Sequence, residues 1–238
     1  MTNTLFIADL HLCNQAPSIT SSFLKFLNYE ARYIDALYIL GDLFDSWIGD
    51  DDPNPLHDYL AFSLRQLSIP CHFLHGNRDF LLGRNFAYRA GINLIPDEYV
   101  LEVYGQRLLI MHGDTLCAND ILYQSYRQIV QCRWVKNLFL AIPIYTRKHI
   151  ASIIRDYSKR VNNNKKIEIM DVHPQLVTEI MHAYRVSILI HGHTHRPAVH
   201  KLEIYGQPAQ RLVLGDWNQQ GSMVRVSHND IQLVTFSL

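Results

Sequence analysis

The stretch LIHGHTHRPAVH, residues 189–200, places four imidazoles, His191, His193, His195 and His200, within ten positions, with Gly192 between the first two. His-x-His directly after an apolar run suits metal ligation, because imidazole is the commonest metal ligand. A single histidine is more often a surface or hydrogen-bonded core residue, so the pattern requires partners. Four further clusters supply them: Asp9 and His11 in ADLH, Asp42 in GDLFD, Asn77 in GNRD and His112 in HGD. Seven oxygen or imidazole ligands suit two octahedral-leaning ions about 3.5–4 Å apart that share one carboxylate. Nitrogen and oxygen donors without thiolate favour Mn²⁺, Fe²⁺ or Zn²⁺. Taken singly, the positions have plainer readings: Asp42 could cap a helix and Asn77 could make a turn.

The elements that must hold these residues are short apolar runs. TLFIA (4–8), ALYIL (36–40), CHFLH (71–75), RLLIM (107–111) and VSILI (186–190) each end in one of the five clusters. Their length and their branched or aromatic content predict buried strands. Helical patterns lie between them, SSFLKFLNYEARY (21–33) and PLHDYLAFSLRQL (55–67). Alternation of strand and helix predicts an α/β chain with a largely parallel sheet, whose ligands bind beyond the carboxyl ends of the strands. All five clusters then fall on one rim. Farther along, KLEIYGQPAQRLVLGDW and GSMVRVSHNDIQLVTFSL predict antiparallel strands turning at Gly206–Gln207–Pro208 and His228–Asn229–Asp230, as a second sheet packed on the first. Residues 119 to about 182 lack the strand-then-polar unit and predict helices interrupted at Pro143.

Composition bounds the function. A chain of 238 residues, 48% hydrophobic and 18% charged, can bury a sizeable core. The formal net charge of zero gives no global field for nucleic acid, so no such partner is expected. Charge is nonetheless uneven: from Arg127 to Lys166 lie ten of the 22 Lys and Arg residues against one acid, Asp156. Either an anionic surface or substrate lies near this segment, or it is a solvated basic face. Cys13, Cys71, Cys117 and Cys132 show neither CxxC pairing nor disulfide-framework spacing, which predicts a reducing compartment. The N-terminus lacks a basic leader, and no run approaches the ~18 apolar residues of a membrane span. A cytoplasmic protein, soluble or peripherally attached to a membrane, is expected.

In order, D-x-H, GD, GN-x-D, HGD and GHTH resemble the calcineurin-like metallophosphoesterase superfamily. Over nearly the whole chain, FIADLHL, GDLFDSWIGDDDPNP, HGNRDFLLG, LIMHGDTLC, IMDV, LIHGHTHRPAVH and RLVLGDW resemble the UDP-2,3-diacylglucosamine diphosphatase family within it. The resemblance implies an αββα sandwich of two mixed sheets flanked by helices, with a core of residues 1–118 and 183–238 and a helical lid at 119–182. It implies two Mn²⁺ per chain: Asp9, His11, Asp42 and His195 hold one, and Asp42, Asn77, His112 and His193 hold the other, with Asp42 bridging. His191 and His200 fall outside this set. Asp42, Asn77, Arg78 and His112 are the implied catalytic residues. Asn77, Arg78, Asp120, Ser158, Asn162, Lys165 and His193 are the implied substrate contacts. LFLAIPIY (138–145) is either a surface for acyl chains or ordinary core. The implied reaction cleaves UDP-2,3-diacylglucosamine at the α-phosphorus, giving UMP and 2,3-diacylglucosamine 1-phosphate for lipid A biosynthesis, at the inner face of the cytoplasmic membrane. Asp216 in LGDW departs from the family's small residue there and puts only local packing in question.

A dinuclear centre lowers the pKa of a bound water toward neutrality for in-line attack on phosphorus. The distinctive residue is Arg78, where many members of the superfamily carry a histidine thought to protonate the leaving oxygen. Guanidinium does not release its proton. A phosphate monoester leaves as a weak base, with second pKa roughly 6. Arg78 therefore favours diphosphate cleavage, holding phosphate oxygens through parallel bonds; its plainer reading is a structural partner of Asp79. A metal-dependent phosphodiesterase, nuclease or protein phosphatase would share the ligands but has no evident use for an apolar lid. An inactive scaffold module would be expected to have lost ligands, and all seven are present.

Overall fold

The computed structural model describes residues 3–163 and 171–238. The five apolar runs form strands β1 (Thr4–Ile7), β2 (Ala36–Leu40), β3 (Cys71–Leu74), β6 (Gln106–Met111) and β7 (Ile188–His191). Two sheets result, in the orders β11-β10-β1-β2-β3-β4 and β5-β6-β7-β9-β8. Here β4 is Asn93–Leu94, β5 Glu98–Val103, β8 Ala198–Ile204, β9 Gln207–Val213, β10 Gln220–Val226 and β11 Ile231–Ser237. The runs β1, β2 and β3 pair in parallel in one sheet, while β6 and β7 pair in parallel in the other. The rim thus belongs to two sheets, not one. The expectation that the C-terminal strands make a sheet of their own is also corrected. Strands β8 and β9 extend the second sheet, whereas β10 and β11 join the first through an antiparallel pairing with β1.

Alternation along the strands explains the layers, since successive side chains point to opposite faces. Phe6, Leu40 and Leu74 face Leu108, Ile110, Ile188 and Ile190 in the core between the sheets. Leu5, Ile7, Leu37 and Ile39 point the other way, onto helices α1 (Pro17–Tyr29), α2 (Pro55–Arg65) and α3 (Arg84–Ala90). Leu109, Met111 and Leu189 face outward from the second sheet onto Val177 and Met181 of α7 (Pro174–Ala183). Each such buried aliphatic side chain contributes about 1.5–3 kcal/mol. The architecture is an αββα sandwich.

Helix α1 starts four residues before its predicted range and ends at Tyr29, because Pro17 at its first turn presets φ and the chain after Tyr29 must return to β2. Helix α2 opens on Asn54, whose side chain accepts the Leu56 N–H at 3.1 Å. Strand β5 was not foreseen. Its turn, Tyr104-Gly105 before Gln106, repeats as Tyr205-Gly206 before Gln207 between β8 and β9, and all four turn residues have positive φ. That pair of positive dihedrals matches the twist of a two-residue hairpin.

Residues 119–163 form α4 (Ile121–Gln131), α5 (Arg133–Ala141) and α6 (Ile144–Asn163), with Pro143 between the last two. Neither α4 nor α5 has a buried side chain. The basic segment is answered by acids of the core: Arg147 pairs with Asp51, Lys148 with Asp52 at 2.8 Å, Arg155 with Asp45 at 2.6 Å, and Arg127 with Asp114. Among the described residues no helix is long and apolar enough to cross a membrane.

Candidate metal centre

The turns after β1 and β2 are laid side by side by a short ladder: Asp9 N–H donates to Gly41 O at 3.2 Å, His11 N–H to Asp42 O at 3.0 Å and Leu12 N–H to Leu43 O at 2.9 Å. The turn after β3 closes on them so tightly that a Cβ on Gly41 would collide with the backbone of Gly76. Asp79, wholly buried, locks the arrangement by accepting backbone N–H groups of Gly76, Asp42, Leu43 and Phe44 at 2.8–3.4 Å. The plainer reading of Arg78 as the partner of Asp79 is thereby overturned. Asp42 Oδ1 accepts the Arg78 N–H at 2.8 Å. The Arg78 Nε is buried with no hydrogen-bond partner among the described residues.

All seven expected ligands meet in two groups on either side of Asp42. In one, His11 Nε2 lies 3.2 Å from His195 Nε2 and 3.9 Å from Asp42 Oδ2, and His195 Nε2 lies 3.4 Å from Asp9 Oδ1. In the other, Asn77 Oδ1 lies 2.9 Å from His112 Nε2 and 3.0 Å from His193 Nδ1, and the two ring nitrogens are 3.2 Å apart. Asp42 Oδ1 is 3.8 Å from His112 Nε2.

Two observations test whether a metal fits. His112 Nδ1 lies 2.9 Å from Leu40 O and must donate to it, so that whenever the ring is neutral its Nε2 is an acceptor turned toward Asn77 Oδ1 and His193 Nδ1. Converging acceptors call for a cation. Asp9 Oδ1 is buried and has no hydrogen-bond partner among the described residues, with His195 Nε2 3.4 Å away, while Oδ2 accepts the His193 N–H at 2.8 Å; an orphaned buried acceptor suits a ligand atom. The residues fit a divalent metal.

The electrostatics agree. Burial pushes Asp42 above the usual carboxylate range, assisted by the charges of Asp79 and Asp9. Burial opposes charge on His112, yet Asp42, Asp9 and Asp114 outweigh it and raise the imidazole to about 9, the mark of a site that favours positive charge. Burial drives His11 and His193 down to about 4, favouring the neutral ring that ligates.

A further signal is absent from residue types alone. Asp9, His11, Asp42, His193 and His195 all have left-handed backbone, with φ between 50° and 69°. Non-glycine residues in this region are uncommon and concentrate at functional sites. Sequence reasoning also passed over Asp79 and Asp114. The latter accepts the Tyr123 hydroxyl at 2.6 Å and so ties α4 to the turn that carries His112.

The remaining expected residues divide. Asp120 caps α4 by accepting the Tyr123 N–H at 3.1 Å. Ser158 is half-buried on α6, one turn beyond Arg155. Lys165 and the side chain of Asn162 lie outside the described residues. His191 is buried, with Nδ1 2.8 Å from Gly192 O and Nε2 3.3 Å from an Arg211 nitrogen, and His200 is exposed on β8. Both stand apart from the cluster. Asp216 is not remote from it, since Oδ2 lies 3.7 Å from His195 Nδ1.

Residues 2–197 match the calcineurin-like phosphoesterase family model. Across 236 residues the chain is 56% identical to UDP-2,3-diacylglucosamine hydrolases of Escherichia coli O7:K1 and of Escherichia fergusonii, covering 98% of each chain in both cases. Among solved structures, an archaeal phosphodiesterase superposes with a TM-score of 0.50 at 11% identity, over 98% of this chain and 99% of that one. Zinc-bound Vps29 of Entamoeba histolytica superposes with a TM-score of 0.50 at 16% identity, over 99% and 98%. Those two likenesses speak for the fold. The family follows from the sequence matches together with the centre they cover: the chain belongs to the calcineurin-like phosphoesterases, and among them to the UDP-2,3-diacylglucosamine hydrolase family.

Proposed function

We propose that this chain hydrolyses the diphosphate of UDP-2,3-diacylglucosamine at its α-phosphorus, releasing UMP and 2,3-diacylglucosamine 1-phosphate for lipid A biosynthesis. The observation that carries the reading is the pair of ligand groups about Asp42 with the unpartnered Arg78 Nε beside them. Asp9, His11, Asp42 and His195 would hold one ion and Asp42, Asn77, His112 and His193 the other, with Mn²⁺ the assigned metal. Bound there, two divalent ions supply a water of lowered pKa and neutralise charge on the phosphoryl oxygens. The chain's own residues then divide the work. Arg78 grips phosphate oxygens through guanidinium donors and gives up no proton. Asn77 and His193, at the same edge, are assigned to both metal and substrate. The sugar phosphate departs as a weak base, so a general acid is dispensable.

Helices α4, α5 and α6 are the assigned lid. Val177 and Met181 seat α7 in the core, so that helix is left with the phosphoesterase body. Asp120, Ser158, Asn162 and Lys165 are the assigned sugar and phosphate contacts. Trp134 and Leu138 on α5, 70% and 62% exposed, offer an apolar face to acyl chains and to the inner membrane leaflet; peripheral attachment rests on that face and on the basic residues around it.

Hydrolysis in ¹⁸O-water followed by mass spectrometry tests the reaction. The label is expected in UMP, and label in the sugar phosphate would overturn attack at the α-phosphorus. Asp42→Ala should abolish turnover and lower bound Mn²⁺ from two ions, since this carboxylate faces both groups; undiminished hydrolysis would defeat the assignment.

A further inference from the structure

Asp216 stands where the centre's most exposed imidazole needs support. His195 is 38% exposed, and its Nε2 faces His11 and Asp9 while its Nδ1 turns to the Asp216 carboxylate, 3.7 Å away. The corresponding task at the other ligand group falls to a main-chain carbonyl, Leu40 O, which holds His112 Nδ1 at 2.9 Å. Among the described residues no carbonyl is bonded to the His195 ring, so Asp216 is the acceptor available.

The backbone of Asp216 is pinned on both sides. The Gly215 N–H donates to Ser222 Oγ at 3.0 Å, and the Trp217 N–H donates to Asp9 O at 3.2 Å. Trp217 itself is buried, edge-on to Phe23, Phe26 and Phe236. The segment after β9 is therefore fastened to the turn that carries Asp9, and Asp216 rides on it toward His195. An outer carboxylate on the far nitrogen of a ligating histidine fixes its tautomer and orientation and raises its basicity.

We infer that Asp216 is a positioning residue that holds the His195 proton on Nδ1 and so presents the Nε2 lone pair to the ion shared with Asp9 and His11. This rests on the two-metal reading above. The test is Mn²⁺ titration of metal-free protein by calorimetry, with Asp216→Ala and the isosteric Asp216→Asn. Asp216→Ala should weaken one of the two sites by about 10–100-fold and leave the other within about twofold. Asp216→Asn, which keeps a neutral acceptor, should lose less. In ¹⁵N-histidine spectra of the metal-free protein at alkaline pH, His195 should carry its proton on Nδ1 in the wild type and shift toward Nε2 in Asp216→Ala. Equal affinities in wild type and Asp216→Ala would overturn the inference while leaving the centre intact, as would a wild-type His195 protonated on Nε2. A lower Tm of metal-free Asp216→Ala with both sites weakened alike would show a packing role instead. A wild-type protein that takes up no Mn²⁺ would overturn the centre and the role of Asp216 together.

Discussion

Asp79 is wholly buried and faces no ligand nitrogen, yet four backbone N–H groups from two separate turns converge on its carboxylate. Those bonds hold the turns that carry Asp42 and Asn77 in place, and the neighbouring Arg78 Nε has no hydrogen-bond partner among the described residues. A guanidinium donor left open beside the proposed centre is placed to meet an anion. Arg78→Ala should lower kcat/KM by about 10²–10³-fold, the scale of losing one preorganised charge-stabilising donor. Arg78→Lys should recover only part, because an ammonium lacks the planar fork. In neither variant should the pH–rate profile lose a limb, since guanidinium does not titrate there; the vanishing of one limb in Arg78→Ala alone would assign it a proton-transfer role.

At the scale of elements, α2 meets the turn after β2 through His57. Its ring stacks on Trp47 with centroids 4.2 Å apart and lies edge-on to Phe44 at 5.0 Å, 4% exposed. Burial lowers the imidazole from 6.5 to about 4, against the raising charges of Asp52 and Asp58. The folded chain thus binds this proton more weakly than the unfolded chain. Stability falls as pH drops from 6.5 toward about 4. Between about pH 7.5 and about pH 5 the loss from this one group is about 2 kcal/mol. His57→Phe should flatten the acid side of a denaturant-derived stability curve by that amount relative to wild type. An unchanged slope would mean that the ring carries its proton inside the fold.

Across the whole molecule, ion pairs and a tyrosine hydroxyl bind α4 and α6 to the turns that bear the proposed ligands. Arg147, Lys148 and Arg155 meet Asp51, Asp52 and Asp45, all within ten residues of Asp42 along the chain, and Arg127 and Tyr123 meet Asp114 two residues beyond His112. Part of the uneven basic charge is thus turned inward, and apolar side chains stay exposed on these helices, Trp134 and Leu138 of α5 among them. Trp134→Glu with Leu138→Glu should cut co-sedimentation with phosphatidylglycerol vesicles by at least about tenfold, because each large apolar side chain contributes about 1.5–3 kcal/mol when buried. Hydrolysis of the diacylated substrate should fall far more than cleavage of bis(p-nitrophenyl) phosphate, which is too small to engage that face. Equal losses on both substrates, with vesicle binding unaltered, would reassign α5 to supporting the fold.

Much of the centre was legible in sequence because each ligand cluster is local: an apolar run that must be buried, then a glycine or small residue and a polar group at its end. The same locality made the five strands, α2 and the helical segment legible, and the turn at Gly206–Gln207–Pro208 marked one hairpin, while its counterpart at Tyr104–Gly105 went unread. What only the tertiary structure decided is non-local. Sheet membership depends on which apolar face meets the shared core, so β10 and β11 could not be separated from β8 and β9 by their own patterns. Three of the four backbone partners of Asp79, those of Asp42, Leu43 and Phe44, lie more than thirty residues away along the chain, and the acids that answer Arg147 and Arg155 lie about a hundred residues away. Left-handed dihedrals at five of the proposed ligands fall on Asp and His, which enter that region more readily than other non-glycine residues yet only in a small minority of cases, so residue type alone does not announce them. Asp216 reads as a loop residue until the turn after β9 is fastened to the turn after β1 and brings its carboxylate to His195.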